Sequence, residues 1–330
     1  MLPKPASATG HTVVIVNPSS AGGRTGRNWQ KLAGVLREHY GVFEDCFTET
    51  SGDGTRLTRE ALLEGAGTVI AVGGDGSIHD VVNGFFPGPS GDERTEDIHA
   101  IRSDATLGVI PLGTGGDFIR SIGVPRDPIA AVRALATSTA RAIDIGRVRY
   151  LDHAGRLGTR YFMNVASFGI AGLVDKYVNR TKKSLPGTLA FALATLRAGV
   201  MYSNSPVRVR IDGGEWLTGP IYNVSLANGR YFGGGMKVAP EALLDDGLLE
   251  LVRFGDMGLS DILLHGKDLY SGKHLDLKEV SGSRVHSVEA ESVDGREVLL
   301  DVDGEQPGRL PARFDILPRA IRLLSPELPR

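Results

Sequence analysis

The segment VGGDGSIHD, residues 72–80, places one carboxylate, that of Asp75, among three glycines and follows it with Ser77, His79 and Asp80. Upstream, residues 68–72 read TVIAV, an apolar run that predicts a short buried β-strand. Downstream, the sequence from Ile78 predicts a helix, with Ser77 and Asp80 at the spacing of a capping box. A strand that ends in glycines and continues as a helix aims several backbone N–H groups at one point, which suits an anion such as a phosphate.

A bare phosphate beside Asp75 would be repelled by the carboxylate. A cation between them removes the conflict, since Mg²⁺ binds carboxylate and nucleotide phosphate oxygens together. The segment GTGGDF, residues 113–118, repeats the pattern with the hydroxyl of Thr114 and the carboxylate of Asp117. Taken singly, each segment is also consistent with a plain structural role, the first as a tight helix-capping turn and the second as a helix N-cap.

Two further segments carry closely spaced carboxylates. PEALLDDGLLE, residues 240–250, has acidic residues in a turn before a predicted strand, and a solvated turn is the simpler interpretation. VDGEQ, residues 302–306, brings Asp303 and Glu305 to the end of a predicted strand, where Asp-Gly alone predicts a hairpin turn. Two nearby carboxylates, one with a raised pKa, could remove a proton from an alcohol.

The elements around these segments predict two domains. Strands and helices alternate over residues 12–112, which predicts a doubly wound parallel sheet, and the loops after Asn17, Gly73 and Gly113 then share one edge of that sheet. From about residue 145, short strands and Asp-Gly turns predict a β-rich domain, with helical insertions near residues 170–201 and 258–271. We therefore predict an α/β domain over 1–144, completed by 318–330, with an anion-binding sheet edge, and a β-rich second domain over 145–317.

Composition restricts the class of protein. The chain has 330 residues, of which 41% are hydrophobic and 23% charged, and its net charge of −2 argues against a nucleic-acid partner. Its single cysteine excludes an internal disulfide, and no apolar run is long enough for a signal peptide or a spanning helix, so we predict a cytoplasmic protein. The P-loop, GxGxxG, HExxH, paired CxxC and GxSxG motifs are absent.

Six segments together resemble the diacylglycerol kinase catalytic family, which includes bacterial lipid kinases and sphingosine and ceramide kinases. They occur in the family's order across residues 12–306: NPSSAGG, GGDGS, PLGTGGDF, FMNVASFGIAG, NGRYFGGGMKVAPEALLDDGLLEL and VDGEQ. The resemblance implies an NAD kinase/diacylglycerol kinase-like α/β nucleotide-binding domain over 1–144, a β-rich lipid-binding and catalytic domain over 145–317, and the use of ATP and Mg²⁺. GGDG alone is less specific, because NAD kinases and phosphofructokinases also carry it.

The resemblance also implies roles for individual residues. ATP contacts are implied for Asn17, Thr48, Thr114 and the run Gly74, Asp75, Gly76, Ser77, Ile78, His79 and Asp80. Asp75 and Asp117 would organise the active-site magnesium. Glu305 matches the family's proton acceptor, with Asp303 beside it. The backbone carbonyls of Leu243 and Leu248 and the carboxylate of Asp246 match a structural magnesium site of some bacterial members.

Three positions depart from the family's usual residues. Ser77 replaces threonine, Gly116 stands where many members have asparagine, and His79 with Asp80 replaces an Asn-Glu pair. We predict an ATP-dependent kinase that phosphorylates a lipid hydroxyl, with diacylglycerol as the leading acceptor. Sphingoid bases, ceramides and phosphatidylglycerol stay open as acceptors, as do a soluble-substrate kinase of the NAD kinase type and a non-catalytic nucleotide or lipid sensor.

A peripheral membrane contact is one interpretation of Arg180, Lys182 and Lys183, which adjoin the apolar residues 185–196. The other interpretation, which we favour, is a solvated helix end followed by a core helix. The sequence leaves the oligomeric state open, a homodimer included.

Overall fold

The computed structural model describes residues 10–88, 98–113, 115–174, 202–258, 261, 264–326 and 328. The chain divides into two compact units, Met1–Ile145 with Pro318–Arg330, and Gly146–Leu317. Thr114 and the segment from Arg180 to residue 196, for which a membrane contact was one interpretation, lie outside the described residues. In the part of the chain that is described, no helix combines the length and hydropathy that crossing a membrane requires.

The helices and strands follow one another in a simple order. The first unit contains β1 (Thr12–Val16), α1 (Ser20–Tyr40), β2 (Glu44–Phe47), α2 (Asp53–Leu63), β3 (Thr68–Gly73), α3 (Asp75–Gly84), β4 (Thr106–Pro111), α4 (Asp117–Ser121) and α5 (Pro128–Thr137). There follow β5 (Thr139–Asp152), β6 (Leu157–Phe162), β7 (Val165–Gly169), β8 (Ser205–Ile211), β9 (Trp216–Ile221), β10 (Asn223–Ala227), β11 (Leu249–Phe254), α6 (Asp268–Ser271), a 3₁₀ helix (Lys273–Asp276), β12 (Val280–Val285), β13 (Ser287–Ser292), β14 (Leu300–Val302) and β15 (Gly308–Ser325).

The first unit is built on a parallel sheet in the order β2-β1-β3-β4, with the end of β15 parallel to β4. Strands β3 and β4 are buried along their whole length, as expected for a sheet covered on both faces. Val14, Ile70 and Ile110 pack with residues of α1 and α5 in one core. Because the side chains alternate along each strand, their neighbours face the other side, and the predicted α/β class is confirmed.

The second unit is β-rich, as predicted. One sheet has the order β15-β13-β8-β9, with β5 pairing β15 and β6, and the other has the order β12-β11-β10-β7-β14. A core cluster contains inward residues of both sheets; Phe168 of β7 and Phe314 of β15, for example, stack with ring centroids 5.7 Å apart. Strands β5 and β15 each run across the division between the two units.

Two predicted elements differ from the observed ones. The sequence indicated one strand over residues 161–168, but β6 ends at Phe162 and β7 begins at Val165. The strand breaks because the main-chain N–H groups of Met163 and Asn164 donate to the side chain of Asp303. The sequence also indicated a helix near 258–271, and the described residues show it interrupted: Asp261, Leu264 and His265 are helical, residues 266–267 form a turn, and α6 follows over Asp268–Ser271.

Candidate active site

The loops after β3 and β4 line a small cavity at the carboxyl edge of the parallel sheet in the first unit. Strands β1, β3 and β4 run parallel, so the loops that follow them meet at this edge, as the sequence predicted. The cavity has a volume of about 140 Å³, and its loop residues are Gly73, Gly74, Asp75, Gly113, Gly115 and Gly116. Pockets for whole small molecules usually enclose about 300–1,000 Å³, so this cavity can take only part of a nucleotide.

Glycine is required where two of these loops approach each other. A Cβ added to Gly113 would lie 2.5 Å from the Cα of Gly74, and one added to Gly115 would lie 2.5 Å from Oδ2 of Asp75. Neither contact is sterically allowed, and the first is against backbone, which cannot turn aside. The glycines therefore let the β3–α3 and β4–α4 loops touch and keep the cavity free of side chains.

Asp75 ties the same two loops together. Its Oδ2 accepts the N–H of Gly116 over 2.6 Å and its Oδ1 accepts the N–H of Phe118 over 3.4 Å. Asp75 also begins α3, whose N-cap Gly74 has no side chain with which to cap the helix. The first N–H groups of α3 thus stand at the cavity without a side-chain acceptor at the N-cap position, as an anion site requires.

Asn17 and Ser77 are brought together beside the cavity. The Nδ2 of Asn17 donates to Oγ of Ser77 over 2.9 Å, which links the loop after β1 to the first turn of α3. Thr48 follows β2 at the same sheet edge, where its N–H donates to the carbonyl of Val16. These residues and the exposed Gly76 lie at the edge but do not line the cavity, whereas Ile78 does.

Other predicted nucleotide contacts point elsewhere. The imidazole of His79 is 1% exposed and lies against the side chain of Asn83. Asp80 accepts the N–H of Gly52 at its carboxylate, and its carbonyl accepts the hydroxyl of Thr55, so it joins α3 to the start of α2. Asp117 lies at the start of α4, but the N-cap is Gly116 and not Asp117 as predicted; the Asp117 carboxylate instead accepts a hydrogen bond from Nη1 of Arg120 over 2.6 Å. Thr114 lies outside the described residues.

In the second unit, Asp303 and Glu305 lie on a tight hairpin at the end of β14. Val302 and Glu305 exchange both main-chain hydrogen bonds, at 2.8 and 3.0 Å. Asp303 has φ 51° and Gly304 has φ 87°, the left-handed pair that a two-residue type I′ turn needs. The Asp-Gly hairpin predicted from the sequence is therefore present, and the side chain of Glu305 is half-buried beside it.

The carboxylate of Asp303 holds this hairpin against the turn between β6 and β7. Oδ1 accepts the N–H groups of Asn164 and Val165, and Oδ2 accepts that of Met163, over 3.0–3.1 Å. The N–H of Asp303 in turn donates to the carbonyl of Val165. Asp303 is consequently engaged by main-chain donors at both carboxylate oxygens.

Two asparagines that the sequence interpretation missed complete this arrangement. The carbonyl of Asn164 accepts the N–H groups of Asn228 and Gly229, and its side-chain amide donates to the carbonyl of Tyr231. Asn228 is fully buried and donates to the carbonyl of Met163 over 2.9 Å. Both asparagines stand in quoted motifs at strand ends, which was the available signal. Arg126, on the cavity wall of the first unit, was also missed and belongs to no motif.

The acidic turn before β11 is the remaining predicted site. Asp246 is exposed, and its Oδ1 accepts the N–H of Leu248 over 3.1 Å. Across the described residues, no group of three or more His, Cys, Asp or Glu side chains is placed to hold a metal ion. A cation at Asp75 or at Asp246 would therefore need carbonyl, water or phosphate oxygens as further ligands, as Mg²⁺ commonly has.

Comparisons with known proteins identify the family. The model of the diacylglycerol kinase catalytic domain matches residues 11–148, and that of the YegS C-terminal NAD kinase beta sandwich-like domain matches residues 164–325. A diacylglycerol kinase of Bacillus subtilis is 32% identical over 95% of this chain and 96% of its own length. The chain belongs to the diacylglycerol kinase catalytic-domain family of bacterial lipid kinases.

Other members show the same extent of similarity. A "Probable lipid kinase YegS-like" of Chromohalobacter salexigens is 30% identical over 98% of this chain and 96% of its own length. A solved diacylglycerol kinase structure from Bacillus anthracis superposes with a TM-score of 0.68, covers 98% of both chains and is 20% identical, which supports the fold alone. As a member of this family, the chain is an ATP-dependent kinase that phosphorylates a hydroxyl group of a lipid.

The cavity of the first unit fits the phosphates of ATP. Side chains at Gly113 and Gly115 would fill or distort it, and the start of α3 offers N–H donors there. The carboxylate of Asp75 fits a magnesium ion as well, because a carboxylate has about four acceptor positions and its two hydrogen bonds leave others.

Proposed function

We propose that this lipid kinase transfers the γ-phosphoryl group of ATP to the hydroxyl of diacylglycerol. The observation that carries the proposal is the Asp303–Glu305 hairpin, which presents a carboxylate on a turn fixed by six hydrogen bonds from main-chain N–H donors, three of them to the Asp303 side chain. The choice of acceptor rests on the Bacillus subtilis relative named diacylglycerol kinase, to which this chain aligns over nearly its whole length.

The first unit binds the phosphoryl donor in this proposal. Gly74 and Ile78 place the N–H groups at the start of α3 beside the phosphates, while Asn17 and Ser77 fix the neighbouring loop. Asp75 provides carboxylate oxygens for Mg²⁺. Asp117, which follows the β4–α4 loop at the start of α4, provides others. The bound magnesium supplies positive charge that offsets the negative charge of the transferring phosphoryl group.

The second unit provides the base. Glu305 accepts the proton of the lipid hydroxyl as the hydroxyl oxygen forms its bond to the γ-phosphorus. The bond from that phosphorus to the bridging oxygen breaks, and ADP leaves with the electron pair. The product is a lipid phosphate monoester, and Glu305 later returns its proton to water. We assign Asp303 to positioning, because both of its carboxylate oxygens already accept main-chain donors.

A second magnesium ion is proposed at the turn before β11. The carboxylate of Asp246 and the backbone carbonyls of Leu243 and Leu248 are hard oxygen donors within six residues of chain, which suits Mg²⁺. The ion would hold the turn between the glycine-rich 228–235 loop and β11. We also propose a peripheral contact with the membrane surface, because the acceptor resides in a bilayer.

The test is an assay of the purified protein with radiolabelled ATP, Mg²⁺ and a panel of lipids in detergent micelles. The panel contains diacylglycerol, a sphingoid base, a ceramide and phosphatidylglycerol. The Glu305→Gln variant is assayed in parallel, with Glu215→Gln, an exposed glutamate of the β8–β9 connection, as its matched control.

We expect labelled lipid from diacylglycerol above the other acceptors. We expect Glu305→Gln to lower kcat about 10²- to 10⁴-fold, the usual contribution of a general base, while ATP binding is retained. Equal labelling of another lipid would contradict the assignment of diacylglycerol as the preferred acceptor. A Glu305→Gln enzyme as active as the Glu215→Gln enzyme would remove Glu305 from the role of base.

A further inference from the structure

Arg126 brings positive charge to the wall of the phosphate-sized cavity in the first unit. It lies between α4 and α5 and is the one cationic residue among the described residues that line the cavity. The charged lining otherwise consists of Asp75, and the remaining side chains are apolar or those of glycines. Without Arg126 the side chains of the cavity would therefore present only negative charge to a phosphate.

The guanidinium is held on this wall by one hydrogen bond. Nη2 of Arg126 donates to the carbonyl of Gly115 over 2.8 Å, and the next residue, Gly116, donates its N–H to Asp75. A guanidinium carries five N–H donors, so this bond uses one of them. The planar group is thus oriented by the loop while it can still offer donors to a ligand.

The neighbouring acidic residue does not neutralise Arg126. The carboxylate of Asp127 accepts the N–H of Ala130 over 2.8 Å and caps α5. In the part of the chain that the structure describes, Arg126 forms no ion pair with a carboxylate. Its charge is consequently available to an anion, and arginine binds phosphate oxygens through paired N–H donors.

Gly116 leaves the space that the guanidinium uses. A Cβ on residue 116 would lie 3.1 and 3.2 Å from the side chain of Ile119 and in ordinary contact, at 3.6 Å, with Nη2 of Arg126, so only a side chain extending beyond Cβ would reach the space of the guanidinium. The φ of Gly116 is 75°, in the left-handed region, which also disfavours most side chains. Gly116 and Arg126 are therefore sterically linked.

We propose that Arg126 binds a phosphate group of the nucleotide donor in this cavity, in the room left by the missing side chain at Gly116. The inference deepens the proposed function, since it rests on that cavity being the donor site. It adds a donor-binding residue about ten positions beyond the glycine-rich loop.

The experiment compares Arg126→Met and Arg126→Lys with Arg133→Met, which removes an exposed arginine of α5 outside the cavity lining. Binding of ATP and of adenosine is measured by calorimetry without lipid. KM values for ATP and for the lipid are then measured at saturating levels of the other substrate. Adenosine lacks phosphates, so it reports any general damage to the nucleotide site.

We expect Arg126→Met to weaken ATP binding and raise the KM for ATP by about tenfold or more, because a charge-assisted hydrogen bond is lost. Arg126→Lys keeps the charge without the paired donors, and we expect an intermediate loss. Adenosine binding, the lipid KM and all constants of Arg133→Met should change by less than about twofold, as for ordinary surface substitutions.

An Arg126→Met protein that binds ATP as the parent does would overturn the inference. Equal losses for ATP and adenosine would overturn it too, since the effect would then not depend on phosphate. Failure of the parent to label any lipid contradicts the proposed acceptor and leaves the binding comparison intact, so the two failures are separate.

Discussion

The main-chain N–H of Asn164 donates to Oδ1 of Asp303 over 3.1 Å, although the two residues are 139 positions apart. Asn164 also receives the N–H groups of Asn228 and Gly229 at its carbonyl. One residue thus connects the hairpin of Glu305 to the glycine-rich 228–235 loop. Asp303 keeps its left-handed φ of 51° within this set of bonds.

If Asp303 positions Glu305, the Asp303→Asn variant should lower kcat and leave the KM for ATP unchanged. Asparagine tolerates the left-handed conformation, but its amide has only one acceptor oxygen. The amide NH₂ group takes the place of Oδ2 and cannot accept the N–H of Met163. The lost bond should cost about 1–3 kcal/mol. For a unit of this size, that lowers Tm by about 2–4 °C for each kcal/mol.

Asp294→Asn is the matched control, because Asp294 lies in a second Val-Asp-Gly sequence and its carboxylate accepts hydrogen bonds from Ser292 and Arg296, within its own turn. It should leave kcat unchanged. A variant at Asp303 with a lowered Tm and parental kcat would show that its bonds support the fold without positioning Glu305.

The Gly113→Ala variant should lose nucleotide binding. The new Cβ would lie 2.5 Å from the Cα of Gly74. A Cα cannot rotate away as the end of a side chain can, so the two loops must move apart. We expect affinity for ATP to fall by about tenfold or more, as for other losses of well-placed charge-assisted contacts. Gly34→Ala is the control: Gly34 lies on the exposed side of α1, outside the cavity lining, and its Cβ meets nothing within 4 Å, so calorimetry should give nearly the parental affinity.

Parental ATP affinity in Gly113→Ala would mean that contact between the β3–α3 and β4–α4 loops is not needed for nucleotide binding. An equal loss of affinity in Gly34→Ala would show that the effect of Gly113→Ala does not come from the contact between the two loops.

Local patterns in the sequence predicted much of the first unit. The apolar runs of β1 and β3 are buried on both faces, and Asp117 begins α4, because these features depend on neighbours within a few residues. The partners of Asp75 could not be predicted, since they are 41 and 43 residues away. Asp75 was expected to face a cation, and the structure shows that it also ties two loops together.

The second unit was harder to predict because its pairings are long-range. Strand β15 extends over Gly308–Ser325, whereas the sequence analysis assigned residues 318–330 to the first domain without predicting a strand there. Pro311 and Pro318 interrupt its alternation and lack the N–H that a ladder needs, so the pattern resembles a loop. Arg126 follows no motif, and only the fold shows that it reaches the cavity.

Cys46 should be slow to react with alkylating agents at pH 8. Burial, and next the nearby carboxylate of Glu44, raise the pKa of its thiol to about 11. Compared with an ordinary thiol of pKa about 8.5, the thiolate fraction at pH 8 is lower by about two orders of magnitude. The iodoacetamide rate should rise about tenfold per pH unit toward the pKa, since only the thiolate reacts.

Glutathione in the same buffers gives the reference rate, and the absence of any other cysteine makes the assignment unambiguous. Glu44→Gln removes the charge that lies 3.7 Å from Sγ and should speed the reaction, but not to the reference rate, because burial is the larger cause. A parent rate at pH 8 equal to that of glutathione would contradict the raised pKa.

Magnesium should raise the Tm of the nucleotide-free parent and not that of Asp246→Asn. The exposed carboxylate of Asp246 is the charged ligand of the proposed structural ion, and the amide of asparagine keeps its shape without that charge. A ligand at 100 times its Kd stabilises the folded state by about 2.7 kcal/mol, a shift that calorimetric scans with and without Mg²⁺ resolve. Asp245→Asn, at the adjacent exposed carboxylate, should keep the response. Identical magnesium shifts in both variants would locate the stabilising ion elsewhere, and no shift in the parent would remove the second ion from the proposal.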